Sequence, residues 1–163
     1  MVVYLGLGSN LGDREANLRN TASSLANCGL TVLRSASLYW TEPRDVTDQP
    51  WFLNTVLEAD TMLPPQELLR ICLEVERRAG RIRDAARGPR VIDIDILLYD
   101  AQVIRTPELS VPHPRYADRR FVLAPLAELI PEFRDPVRKL TIQELLARCP
   151  DSGVVRPFGP PLL

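Results

Sequence analysis

Asp93 and Asp95 flank Ile94 in a stretch running Val91-Ile92-Asp93-Ile94-Asp95-Ile96-Leu97-Leu98-Tyr99. The alternation predicts a strand over 91–99, with Ile92, Ile94 and Ile96 on one face and both aspartates on the other. Residues i and i+2 of a strand share a face with Cα atoms roughly 6.5–7 Å apart. Two carboxylates so placed repel each other, and a hard cation resolves the repulsion by taking both as oxygen ligands. A solvent-facing acidic pair is the plainer reading of D-x-D. The apolar flanks argue against it, because acids on a largely buried strand need a partner.

A basic segment precedes this strand. From Arg70 to Arg90 there are seven arginines against three acids, Glu74, Glu76 and Asp84. Guanidinium forks suit phosphate oxygens. Arginines beside a carboxylate pair can therefore neutralise a polyphosphate that a bound Mg²⁺ bridges. Arg77 and Arg78 read more simply as cations at a helix C-terminus; Arg81, Arg83 and Arg90 stand beyond it. His113, the single histidine, lies between two prolines in Val111-Pro112-His113-Pro114. Its place between the aspartate strand and Arg119 favours a phosphate or nucleotide contact. Gly6-Leu7-Gly8-Ser9-Asn10 lacks the lysine and the spacing of the known phosphate loops. It reads as a tight turn bringing polar atoms near the site.

The elements that must carry these groups follow from periodicity. Val2 to Leu7 is an apolar strand. Asp13 caps a helix with Leu18, Ala22 and Leu25 on one face, stopped by Gly29. Thr31 to Trp40 reads as a second strand interrupted by Arg34, and Phe52 to Thr61 as a third. Pro64-Pro65 opens a helix striped with Leu68, Cys72, Val75 and Ala79, closed by Gly80. A short helix is expected at 125–129, and Leu140 to Leu145 holds a capping box with Thr141 and Glu144. The prolines of 157–163 predict an irregular tail. The order βαββαβ, with strands 2 and 3 joined by a loop, is that of a ferredoxin-like α+β sandwich with extra C-terminal helices. Its sheet is mainly antiparallel, with the helices on one sheet face. A doubly wound parallel sheet would need a helix between strands 2 and 3.

The 163 residues fit one domain, 1–163, and 45% hydrophobic residues can build its core. A net charge of −1 with ten aromatic residues disfavours a nucleic-acid binder. No stretch reaches membrane-span length and no signal peptide is evident. Cys28, Cys72 and Cys149 are scattered, as free thiols of a reducing compartment are. The expectation is a cytoplasmic protein, monomeric, with small polyanionic ligands and no nucleic-acid or membrane partner.

The motifs together resemble the 6-hydroxymethyl-7,8-dihydropterin pyrophosphokinase family of folate synthesis. They are Gly8-Ser9-Asn10-Leu11-Gly12, Tyr39-x-Thr41-x-Pro43, Asp48-Gln49-Pro50-x-Phe52-Leu53-Asn54, Glu76-x-x-x-Gly80-Arg81-x-Arg83, Gly88-Pro89-Arg90-x-x-Asp93-Ile94-Asp95-Ile96-Leu97, Pro112-His113-Pro114 and Arg119-x-Phe121-Val122-Leu123. The resemblance implies a ferredoxin-like α/β/α sandwich that moves the pyrophosphoryl group of ATP to the pterin's hydroxymethyl oxygen and releases AMP. It implies two Mg²⁺ ions on Asp93 and Asp95. ATP would be bound by Arg81, Arg83, Arg90, His113 and Arg119, with Ile96 and Ser110 near the adenosine. The pterin would stack between Phe52 and Phe121, with Asn54 on its edge and the Thr41, Glu42, Pro43, Arg44 stretch alongside. Arg81, Arg90 and Asp95 would carry catalysis.

The chain departs from the family pattern at Asp45, where a glycine is usual, at Arg87, where a tryptophan is usual, and at Leu73, in place of a glutamine. A degenerate relative that binds without turnover, a D-x-D nucleotide-sugar transferase and a non-catalytic ferredoxin-like module are the alternative readings.

Overall fold

The structure, a computed structural model, describes residues 1–43, 48–80 and 91–163. Arg44, Asp45, Arg81, Arg83, Arg87 and Arg90 lie outside the described residues. The elements in chain order are β1 (Val2–Ser9), α1 (Arg14–Ala26), β2 (Leu30–Ser35), β3 (Leu38–Thr41), β4 (Phe52–Thr61), α2 (Pro65–Arg78), β5 (Asp93–Tyr99), β6 (Ile104–Arg105), β7 (Ser110–Val111), α3 (Arg120–Leu129), α4 (Ile142–Ala147) and β8 (Val155–Gly159). A 3₁₀ turn spans Tyr116–Asp118. The main sheet runs β5-β1-β4-β3-β8, and β2 also pairs with β4. All of these pairings are antiparallel. With β2 and β3 taken as one interrupted strand, this is the ferredoxin-like order.

The sheet has a core on each face. On one side Leu18 and Leu25 of α1 and Leu68, Cys72 and Val75 of α2 meet Val3, Leu5, Leu7, Leu53, Leu57, Ile94 and Ile96. On the other, Val122, Leu123 and Leu126 of α3 and Leu145 of α4 meet Tyr4, Val56, Leu97 and Leu98. The fold therefore has three layers, and helices cover both faces of the sheet rather than one. A bulge in the β1–β5 pairing leaves Leu97 between the partners of Leu5 and Tyr4, so Leu97 and Leu98 both join the second core.

Local differences from the sequence reading have physical causes. The second strand breaks in two around Ala36 and Ser37, after a register shift between Val32 and Arg34. Arg34 there grips Glu58 through Nε at 3.0 Å and Nη2 at 2.9 Å and also donates to the Leu129 carbonyl at the end of α3. Tyr4 donates to the same Glu58 carboxylate at 2.6 Å, so the interrupting arginine braces α3 to the sheet.

Helix α3 begins five residues earlier than expected and runs through Pro125. A helical proline costs about 3 kcal/mol. Burying Val122, Leu123, Leu126 and Leu129 against the second core contributes about 1.5–3 kcal/mol each and outweighs it. The tail is not irregular at its start: 155–159 pairs with β3 as an edge strand, where Pro157 is tolerated because an edge leaves one row of donors unused. The expected caps are present. Asp13 accepts from the Ala16 N–H at 3.1 Å, and the Thr141–Glu144 capping box is complete.

Candidate active site

Strand register places the candidate residues in one row. Gly8 of β1 is opposite Asp93 on β5 and opposite Asn54 on β4, and Asn54 is in turn opposite Tyr39 on β3. The next row down pairs Gly6 with Asp95 and with Val56. Gly6 and Gly8 are thus strand residues and not the tight turn expected. Val56 packs in the second core, so Asn54 and Phe52 continue that face past the end of the helical layer. Neighbouring strands are about 4.8 Å apart, which sets Asp93 and Asn54 roughly 10 Å apart across the sheet. An acidic end and an amide end thus lie on the same face of the sheet.

At the acidic end, Asp95 has cationic and donor neighbours. The Arg119 Nη1 lies 3.8 Å from Asp95 Oδ2, and His113 Nε2 lies 4.0 Å from Asp95 Oδ1. Both separations are longer than a hydrogen bond between these particular atoms. The Arg119 guanidinium also sits over the Phe121 ring, 5.8 Å from its centroid. His113 accepts the Arg115 N–H at its Nδ1 at 3.1 Å, which leaves the ring proton on Nε2, facing Asp95. Burial, with the nearby Arg119 and Arg115 charges, pushes the His113 pKa down to about 4, so at neutral pH the ring is a neutral donor.

Buried contacts fix this end from behind. Ile94 N–H, between the two aspartates, donates at 3.0 Å to the buried Glu76 carboxylate of α2. The His113 N–H donates to the Leu97 carbonyl at 2.9 Å, so the bulge in β5 holds the histidine loop. Arg138 donates to the Pro114 carbonyl at 3.1 Å and to Asp135 at 3.2 Å, and lies over the Tyr116 ring at 5.3 Å. Asp135, fully buried, also accepts from the Tyr116 hydroxyl and from the Val137 and Arg138 N–H groups. Burial works to raise its carboxyl, but these donors outweigh it and hold the pKa below the usual value.

At the amide end, Asn54 Nδ2 donates to Thr41 Oγ1 at 2.6 Å, and both side chains are buried. Glu42 accepts the Val154 N–H at 2.7 Å, so its carboxylate is spent on tying this segment to the chain before β8. Asn10 donates to Gln49 Oε1 at 2.8 Å and to the Pro50 carbonyl at 2.9 Å. Arg14 donates to the Trp51 carbonyl at 2.9 Å and lies 5.2 Å from the Trp40 ring. Together they hold the chain that enters β4 at Phe52.

The residues 4–131 match the family model for 7,8-dihydro-6-hydroxymethylpterin-pyrophosphokinase. The 2-amino-4-hydroxy-6-hydroxymethyldihydropteridine pyrophosphokinase of Methylorubrum extorquens is 43% identical over 154 residues, covering 94% of this chain and 96% of its own. The Bacillus subtilis enzyme of the same name is 46% identical over 129 residues, covering 78% of this chain and 77% of its own. This chain belongs to that pyrophosphokinase family.

The fold agrees with the family. A crystal structure of the Plasmodium falciparum HPPK-DHPS protein with pteroate superposes with a TM-score of 0.73 at 17% identity, over 90% of this chain and 44% of that one. Relatives also include longer proteins, such as the folic acid synthesis protein of Schizosaccharomyces pombe, of which this chain covers 21% at 40% identity.

Of the residues that the family resemblance singled out, Asp93, Asp95, His113 and Arg119 come together at one end, and Thr41, Phe52 and Asn54 at the other. Phe121 is joined to the acidic end by Arg119. Ile96 differs from the other candidates: its side chain lies in the core under α1 and α2, on the far side of the sheet. Ser110, half-buried in β7, pairs with Arg105 just before the His113 loop. Asn10 and Glu76 were visible as motif members, but their roles as braces were not. Arg14, Asp135 and Arg138 gave no sequence signal, because Arg14 and Arg138 donate to the carbonyls of Trp51 and Pro114 and Asp135 accepts from the Tyr116 hydroxyl, all partners distant in the chain.

Proposed function

We propose that this chain transfers the pyrophosphoryl group of ATP to the hydroxymethyl oxygen of 6-hydroxymethyl-7,8-dihydropterin and releases AMP, a step in folate biosynthesis. What carries the reading is the row Asp93–Gly8–Asn54, which sets a carboxylate pair and a ring-reading amide on one face about two strands apart. That spacing suits a reaction whose donor and acceptor must meet over the sheet.

Among the described residues no group of three or more His, Cys, Asp or Glu side chains is arranged for a metal. A two-carboxylate site fits Mg²⁺, which keeps several ligand positions for phosphate oxygens and water. Asp93 and Asp95 would hold two such ions, and bound Mg²⁺ supplies charge neutralisation on the phosphates. Protein groups do the rest by position and charge. His113 offers its Nε2 proton and Arg119 its guanidinium to phosphate oxygens. Arg81, Arg83 and Arg90, assigned by family resemblance, add the remaining positive charge. Phe52 and Phe121 offer ring faces to a flat heterocycle, and Asn54 its polar edge. Ser110 and the backbone of Ile96 stand for the adenosine contacts.

The test is to incubate the protein with ATP, Mg²⁺ and the reduced hydroxymethylpterin and to separate the nucleotides. AMP formed in step with pterin pyrophosphate supports the proposal. ADP would replace it with ordinary kinase chemistry. Tight ATP binding with no nucleotide product would replace it with a degenerate binder.

A further inference from the structure

We infer that Gly8 is a positioning residue for the acceptor: the absence of a side chain at this position is what allows the Asn54 carboxamide to stand in its reading position. The inference rests on the function proposed above. Gly8 lies in an ordinary strand, so no unusual backbone angle calls for glycine there; only Gly12, Gly29 and Gly80 among the described glycines have positive φ. The need is steric. A Cβ on Gly8 would stand 2.5 Å from Asn54 Oδ1 and 3.5 Å from Phe52 Cδ1. The first distance is far inside contact, and the second is ordinary.

The Asn54 amide cannot simply swing away. Its Nδ2 is committed to Thr41 Oγ1 at 2.6 Å, and its side chain is buried. A methyl group at position 8 therefore has to break the Thr41 bond, tilt the amide, or part β1 from β4. Gly8 is itself buried beneath Asn54 and Phe52, so its influence on a ligand passes through those side chains. Gly6 provides an internal contrast on the same face of the same strand. The nearest atoms to a Cβ there belong to the Leu97 side chain, at an ordinary 3.5–3.7 Å.

The experiment compares Gly8→Ala, Gly6→Ala, Asn54→Ala and the double variant Gly8→Ala/Asn54→Ala. AMP release is measured against varied pterin and varied ATP, with a thermal melt of each protein. In Gly8→Ala the pterin KM is expected to rise on the order of tenfold to a hundredfold, the range for a misplaced buried polar partner, while the ATP KM stays within about twofold. Gly6→Ala is expected to keep the wild-type pterin KM. The double variant is expected to match Asn54→Ala alone, since two changes acting through one group do not add. A Gly8→Ala protein that does not fold, beside a double variant that does, would support the inference equally, by rescue. The inference is overturned if Gly8→Ala leaves the pterin KM unchanged, if Gly6→Ala raises it equally, or if Gly8→Ala costs as much without Asn54 as with it. Absence of AMP from the wild-type protein would instead strike the proposed function.

Discussion

The two ends of the candidate site are built on different principles. At the acidic end the neutral His113 ring and the Arg119 guanidinium stand 3.8–4.0 Å from the Asp95 carboxylate. The amide end is closed: Asn54 and Thr41 are buried and joined at 2.6 Å. Under the proposed function the acidic end binds charged ligands and their counter-ions, whose places vary during a phosphoryl transfer. A neutral heterocycle is recognised by hydrogen bonds of fixed direction, and an end that reads it has to be rigid beforehand. The acidic end obtains its rigidity from its supports instead, through Glu76, Asp135 and Arg138.

The largest expected break in this contrast is Asp95→Ala. Turnover should fall on the order of a thousandfold or more, in the range for loss of a group stabilising developing charge. Pterin affinity, measured by calorimetry, should hardly change; equal loss at both ends would show that the ends are not separable.

Next is Asp135→Asn, which removes a charge from beneath the Pro114 and His113 loop. Hydrogen bonds to charged groups are worth about 1.5–3 kcal/mol each, and denaturant melts should register a destabilisation of about that size. The sign with pH also follows. A carboxyl held below its ordinary 3.8 contributes stability above that value and loses it as pH falls through the lower folded value. The variant's stability curve should therefore be flatter at the acid end, and its ATP KM should rise while its pterin KM does not.

Asn54→Ala should do the reverse of Asp95→Ala. The pterin KM should rise about tenfold or more with the ATP KM unchanged, read from steady-state AMP release. The smallest effect belongs to Thr141→Ala, remote from both ends. Loss of the capping box should cost about 1 kcal/mol in a thermal melt and leave both KM values in place. A shift in either would mean that α4 reaches the site.

Much of this was legible in the chain itself. Alternation in 91–99 put both aspartates on one face, and Asp13, Thr141 and the Pro64-Pro65 start marked three helices, because caps and strand faces are set by residues a few positions apart. The short motifs, taken in order, were sufficient for the family. Tertiary structure alone decided how these pieces share one face of the sheet. Gly8 comes between Asp93 and Asn54 only through pairing of β1 with both β5 and β4, each of them far from it in sequence. The second helical layer, the pairing of 155–159 and the grip of Arg138 on Pro114 were equally beyond local pattern. Each depends on buried area or a hydrogen bond between distant segments, and no periodicity records those.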